Sequence, residues 1–289
     1  MRLFDHHIHM SARTTDDYQA MAEAGIVAVI EPSSRLGQPR IHVGSFEDHF
    51  LSLVGWERFR ARRFGIHHFC TLGLNPREAN DPELSSGVLE KLLPIYLEKD
   101  GVVGVGEIGL DEQTPAEVDA LETQLDLAVI HGLPVLIHTP RRDKVRGTRR
   151  ILEIIRAHGF DEERVLIDHN VEETLPIVLN ESRCWAGHTI RPSAGLDEVR
   201  MTALVKRFGA ERITVNSSAD WGVSDPLKVP KSARAMLDGG IAEDEVRRIV
   251  WDNPVAFFAQ SERLDSASLE SRPLVEPGEL DGAVPAAVR

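Results

Sequence analysis

Eight short runs rich in β-branched and aliphatic residues, each followed by a longer stretch of helical pattern, predict an α/β fold: a (β/α)8 TIM barrel in a single domain with an extended C-terminal tail. Two further observations support the closed ring over an open sheet. The chain has 289 residues, close to the roughly 250 typical of one such barrel. Its histidines also recur at the ends of the expected strands, where only a closed ring of parallel strands brings them to one mouth.

The expected strands are Leu3–His9, Ile26–Glu31, Phe69–Leu74, Val102–Ile108, Pro134–His138, Val165–His169, Cys184–His188 and Ile213–Ser217. Helical pattern fills Thr15–Ala24, Phe46–Phe64, Glu83–Lys99, Pro115–His131, Thr148–His158, Val171–Leu179 and Leu196–Phe208. Leu121, Leu125, Ala128 and Val129 show the i, i+4, i+7, i+8 spacing of an amphipathic helix. Gly132-Leu133-Pro134 then stops that helix and opens the next strand. Such a βα series demands a mainly parallel sheet covered by helices. More helix is expected around Lys231–Leu237, Glu243–Ile249 and Pro254–Ala259. The barrel is therefore assigned to residues 1–260. From about Ser261 the composition turns to Ser, Glu, Pro and Ala, so 261–289 reads as a tail, extended or docked on the barrel.

Hydrophobic content of 42% and charged content of 27% are those of an ordinary globular chain that can bury a large core. The formal net charge of −13 repels polyanions and disfavours tight binding to duplex nucleic acid. Cys70 and Cys184 fall in apolar runs and are expected as buried free thiols. No apolar run approaches the roughly 18 residues of a membrane span, and Met1-Arg2-Leu3-Phe4 leads straight into polar residues rather than a signal sequence. A cytoplasmic protein is expected, with a small-molecule substrate and no membrane partner. Association into a homo-oligomer stays open.

Of the twelve histidines, His7, His9, His138, His169 and His188 end expected strands. Period-two alternation places Asp5, His7 and His9 on one face of the first strand, with His6 and Ile8 toward the helical layer. An H-x-H pair offers two imidazoles to one point, the separation a single metal ion bridges. Glu107 stands in Val103-Gly104-Val105-Gly106-Glu107-Ile108-Gly109, where an unpaired carboxylate is costly to bury. It needs a buried arginine or a metal, and the strand-end histidines favour metal. Each lone strand-end histidine is more often a satisfied core residue; several at equivalent positions are harder to assign to chance. Asp220, just past the eighth strand, reads either as a turn aspartate before Trp221-Gly222 or as a metal-adjacent general base.

Asp5-His6-His7-Ile8-His9, then Gly106-Glu107-Ile108-Gly109-Leu110-Asp111, then Leu133-Pro134-Val135-Leu136-Ile137-His138, resemble the TatD-type branch of the amidohydrolase superfamily in content and order. Asp252-Asn253-Pro254 with Phe257-Phe258 is similar to that family's closing helix, so the resemblance spans Leu3 to Phe258. It implies one or two divalent metal ions (zinc, manganese or iron). By that likeness His7 and His9 hold one ion, Glu107 bridges, His138 and His169 hold the second, and Asp220 contacts metal and the activated water. The implied activity is hydrolysis by metal-activated water of a phosphoester, ester, lactone or amide in a small molecule, with Asp220 and Glu107 as catalytic groups. A TatD-like deoxyribonuclease and a noncatalytic metal-binding barrel serving a pathway partner are the alternatives.

Departures from the family pattern cluster where substrate would sit. Asn216-Ser217-Ser218-Ala219-Asp220 stands for the usual Glu-Thr-Asp, and Gly73-Leu74-Asn75-Pro76 replaces a histidine by Asn75. The arginine expected behind the fifth strand is displaced to Arg141 or Arg142, and His188 is an addition. With Arg191, these residues are the expected substrate contacts, and an altered substrate is expected with them.

Overall fold

The computed structural model describes residues 1–34, 38–191 and 195–273. Eight parallel strands pair in chain order: β1 (Leu3–Asp5), β2 (Ile26–Pro32), β3 (His67–Leu72), β4 (Val102–Gly109), β5 (Val135–His138), β6 (Val165–Ile167), β7 (Trp185–Thr189) and β8 (Ile213–Asn216). Just beyond the strand ends, the Ser218 amide donates to the His7 carbonyl at 2.7 Å and the His9 amide to the Ala219 carbonyl at 3.0 Å. These bonds bring the last strand against the first and nearly close the barrel, as the sequence predicts.

Alternate residues of the strands feed two apolar compartments. Leu3, Val29, Cys70, Val105, Val135, Ile137, Val165, Ile167, Ala186 and Val215 face outward into the helical layer, against Leu121, Leu125, Ile151 and Ile155. Phe4, Ala28, Ile30, Val103, Leu136 and Leu166 face inward. The ring's floor is built by the C-terminal helix Asn253–Ala259, whose Phe257 and Phe258 enter that inner cluster together with Trp251. Phe258 lies 6.4 Å from Phe4, and its ring meets Phe257 edge-on at 4.9 Å. Because Phe4, Val103, Leu136 and Leu166 are second residues of their strands, this apolar plug fills the end where the strands begin. The opposite end is left for polar groups.

Helix positions follow the periodic pattern, with shifts at the ends. Pro115–His131 forms as expected, capped by the Thr114 side chain and closed by Gly132 in the left-handed region. The expected Phe46–Phe64 helix begins earlier, at Val43, and contains a wide turn over Ser52–Glu57. No helix among the described residues is long and apolar enough to cross a membrane. Both cysteines are buried and free, and burial pushes each thiol up to about 12. Of the expected tail, residues 261–273 lie against the barrel: Leu264 and Leu269 join the inner apolar cluster, and Arg272 reaches the Ala22 carbonyl at 2.8 Å. Residues 274–289 lie outside the described part.

One expectation needs correction. The first strand is regular only to Asp5, so alternation does not carry on to His9. His6 turns inward rather than to the helical layer; its ring lies 6.2 Å from Phe258, and neither nitrogen has a protein partner among the described residues. Burial lowers its pKa to about 4, and does the same to His188. Both rings are thus neutral in the folded protein at pH values where unfolded histidine takes up a proton.

Two outcomes follow from this packing. Phe258→Ala should lower unfolding free energy by about 3–5 kcal/mol in equilibrium denaturation, since its neighbours cannot all collapse into the space. For His188 the folded-state pKa lies below the unfolded one, so its contribution is complete above about pH 6.5 and is lost as pH falls toward 4. His188→Gln should therefore flatten the stability-versus-pH curve in that window by about one proton, or about 1.4 kcal/mol per pH unit. An unchanged slope in pH-dependent denaturation would rule this out.

Candidate metal centre

Side chains from three other strand ends converge on Glu107. Its Oε1 lies 2.8 Å from His169 Nε2, 3.0 Å from His138 Nδ1 and 3.9 Å from His7 Nε2. The imidazoles are mutually packed, with ring centroids 4.9 Å apart for His138–His169, 5.1 Å for His7–His169 and 5.2 Å for His7–His9. Burial alone would keep the Glu107 carboxyl protonated; the facing His138, His169 and His7 more than reverse this and hold it well below the usual range. Glu107 is thus an anion in a nitrogen-lined pocket at the floor of the cleft.

The strands explain the convergence. His138 is the last residue of β5, and His169 follows β6 by two positions, with its backbone in the left-handed region at φ 59°. Its amide is gripped by Asp168 Oδ1 at 2.7 Å, and its carbonyl accepts from Lys144 Nζ at 3.1 Å. Asp168 itself is fully buried, and its Oδ2 lies 2.6 Å from His7 Nδ1. Only glycine fits beside it: a Cβ on Gly187 would stand 2.4 Å from Asp168 Oδ1.

Two overlapping groups have donor atoms close enough to surround one ion: His7, Asp168 and His169, and Glu107, His138 and His169. The donor set suits a divalent cation, because mixed imidazole and carboxylate ligands are those of zinc, manganese and iron sites. An independent sign is His7 Nε2, which is buried and has no hydrogen-bond partner among the described residues. A divalent cation beside Glu107 would give this nitrogen the partner that the described residues do not.

The other expected site residues divide. His9 lines the cleft with its Nδ1 3.0 Å from Ser34 Oγ, and burial lowers its pKa to about 4, leaving a neutral imidazole. Asp220 lines the same cleft, outside both donor groups; Arg191 clasps it with two bonds of 2.8 and 2.9 Å, and the Gly222 amide donates at 2.7 Å. Partial burial works against its charge, yet Arg191 and Gly222 hold the carboxyl below its ordinary value. Asn75, Arg141 and Arg191 line the cleft, whose volume is about 220 Å³. Arg142 is exposed and does not line it, whereas His188 is fully buried beneath, with Nδ1 3.2 Å from the Thr214 carbonyl. A larger cavity of about 820 Å³ beside the start of β3 gathers no comparable ligand cluster among the described residues, so chemistry rather than size marks the site.

Sequence reasoning passed over Asp168, Thr189, Asn216, Lys144 and Arg77. The first three carried a usable signal, because each is a polar residue at an apolar strand's end, in the same place as the histidines. Arg77 sits on the cleft rim and pairs with Asp111 at 2.5 Å.

Residues 4–259 match the family model described as TatD related DNase. An uncharacterized metal-dependent hydrolase of Methanocaldococcus jannaschii is 28% identical over 261 residues, covering 89% of this chain and 99% of that protein. The crystal structure of a TatD-like protein from Archaeoglobus fulgidus superposes with a TM-score of 0.72 at 29% identity, over 88% of this chain and 99% of that one. A phosphotriesterase homology protein from Escherichia coli, solved with phosphate in its active site, shares the fold at a TM-score of 0.65 and 16% identity, over 89% and 98% of the two chains.

Elemental analysis checks the centre directly. The purified protein should carry divalent metal, and His7→Ala and Glu107→Gln should each lose most of it while remaining folded. Metal content unchanged in both variants would defeat the assignment.

Proposed function

The chain belongs to the TatD-related DNase family and is a metal-dependent hydrolase; we propose that it cleaves a phosphoester of a small molecule. The observation that carries this reading is the charge around the cleft. Three guanidinium groups, Arg77, Arg141 and Arg191, stand at the cleft with three carboxylates, Glu107, Asp111 and Asp220. These cancel among themselves, so a divalent cation at the histidine cluster makes the cleft positive. An anionic substrate is then favoured over a neutral one. The phosphate in the related Escherichia coli active site is consistent with this class.

A bound divalent ion would lower the pKa of a coordinated water from about 15.7 to about 7 and polarise the bond under attack. The protein's own groups do the rest. Arg141, which makes no ion pair with a described residue, draws the substrate anion to the rim. Arg191 presents a planar fork that matches a phosphoryl group as well as it matches Asp220. When substrate takes part of that fork, Asp220 loses its strongest partner and its proton affinity rises. The carboxylate then accepts the water's proton and passes it to the leaving group. Binding and activation of the base are thereby linked through one arginine.

The cleft volume of about 220 Å³ favours a small molecule or a strand end over a duplex, and the net charge of −13 points the same way. A deoxyribonuclease acting on strand ends therefore stands as the second reading.

Steady-state kinetics on phosphomonoesters, phosphodiesters, lactones and amides test the class. Asp220→Asn should reduce kcat by about 10²–10⁴-fold. Arg141→Ala should chiefly raise KM for phosphoesters. Turnover confined to lactones or amides, or an undiminished Asp220→Asn enzyme, would sink the proposal.

A further inference from the structure

Behind the metal-facing nitrogens runs a line of hydrogen bonds whose polarity can be read from one end to the other. It joins the residue after β6, the last residue of β7 and the last residue of β8. Asn216 Nδ2 donates to both oxygens of Asp168, at 2.9 and 3.1 Å. A carboxylate only accepts, so the amide must present its NH2 group to Asp168. Asn216 Oδ1 then faces Thr189 and accepts its hydroxyl proton at 2.8 Å. With that proton committed, Thr189 Oγ1 can only accept from His169 Nδ1, 2.7 Å away. At the far end, Asp168 Oδ2 accepts from His7 Nδ1 at 2.6 Å.

We infer that Asp168, Asn216 and Thr189 are positioning residues that fix the Nδ1–H tautomer of both His7 and His169, and so aim both Nε2 lone pairs at one divalent cation beside Glu107. The inference rests on the metal-dependent reading above and deepens it. It also separates Asp168 from the ligands. Asp168 Oδ1 already accepts from Asn216 and the His169 amide, and Oδ2 from Asn216 and His7. An acid that is saturated in this way orients the ligands and does not bind the ion. His7 Nε2, which has no hydrogen-bond partner among the described residues, and His169 Nε2, beside Glu107 Oε1, are the two nitrogens this device turns toward that place. Outer-shell partners of this kind typically govern metal affinity by about 10–100-fold.

The test uses the full chain, stripped with chelator and titrated with zinc alone or manganese alone. Thr189→Val keeps the side-chain shape and removes the hydroxyl; it should weaken binding by about 10–100-fold. Thr189→Ser, which keeps the hydroxyl, should restore most of it, a rescue that a packing role would not give. In the zinc-loaded wild type, ¹⁵N-detected imidazole spectra should show a proton on Nδ1 of both His7 and His169. In Thr189→Val the His169 proton should lose its exchange protection while that of His7 keeps it. Equal affinity of wild type and Thr189→Val, or coordination through Nδ1 of either histidine, overturns the inference. Because the wild-type spectrum needs no variant, a poorly folding Thr189→Val still leaves a decisive measurement. A wild type that binds neither metal overturns the metal-dependent reading as well, whereas normal binding with no effect of Thr189→Val overturns the relay alone.

Discussion

Glu107 is an anion inside a barrel, and everything around it can be understood as the means of keeping it there. An ionised carboxylate in such surroundings costs several kcal/mol unless opposite charge or strong donors meet it. Three imidazoles reach its Oε1 from β1, β5 and β6, strands that are distant in sequence. They can do so only if the strands form a ring. The bonds between His7 and Ser218 and between His9 and Ala219 that draw β8 against β1 are therefore as much part of the site as the ligands.

The ring is divided along its axis. Below, Phe4, Phe257, Phe258 and Leu136 fill the interior with apolar volume and exclude water. Above, Glu107, Asp168 and the histidines hold the polar groups. His6 and His188 lie buried and neutral. This arrangement keeps the effective dielectric low under the carboxylates, which strengthens every charged contact in the mouth. Low dielectric also makes each unpaired atom expensive, and among the described residues His7 Nε2 shares that state with both His6 nitrogens and His188 Nε2; of these His7 Nε2 is the one that faces Glu107.

Much of this was legible in the chain. Strand and helix order follow from periodicity, and the strand-end histidines with Glu107 point to one mouth from the sequence alone. Three kinds of feature were not legible. Alternation does not extend through His9: β1 stops at Asp5, and beyond it His7 and His9 bond to the loop after β8 while Ile8 alone bonds back to β2, at the Ile30 carbonyl. The Asp168–Asn216–Thr189 line was missed because its members sit on three strands and obey no short-range spacing. Loop groups were the hardest: Arg141 and Arg142 are neighbours in sequence, and only the path of the loop decides that the first lines the cleft.

The eighth strand shows why a departure from family pattern can be a constraint rather than a loss. Asn216 occupies a place where a carboxylate would stand about 3 Å from Asp168, and two buried carboxylates at that distance cannot both stay ionised. An amide there serves two neighbours of opposite need, giving protons to Asp168 and taking one from Thr189. A carboxylate cannot donate to Asp168 at all, and a hydroxyl has one proton to give where the amide NH2 reaches both Asp168 oxygens. The neutral side chain lets Asp168 keep its charge, which raises the proton affinity of His7 despite the opposing effect of burial. Asp220, displaced four residues beyond the strand, is thereby free of any duty to the inner network and pairs with Arg191 at the cleft. The two acids are separated by a single amide: one holds His7 and the His169 amide, the other stands with Arg191 at the cleft.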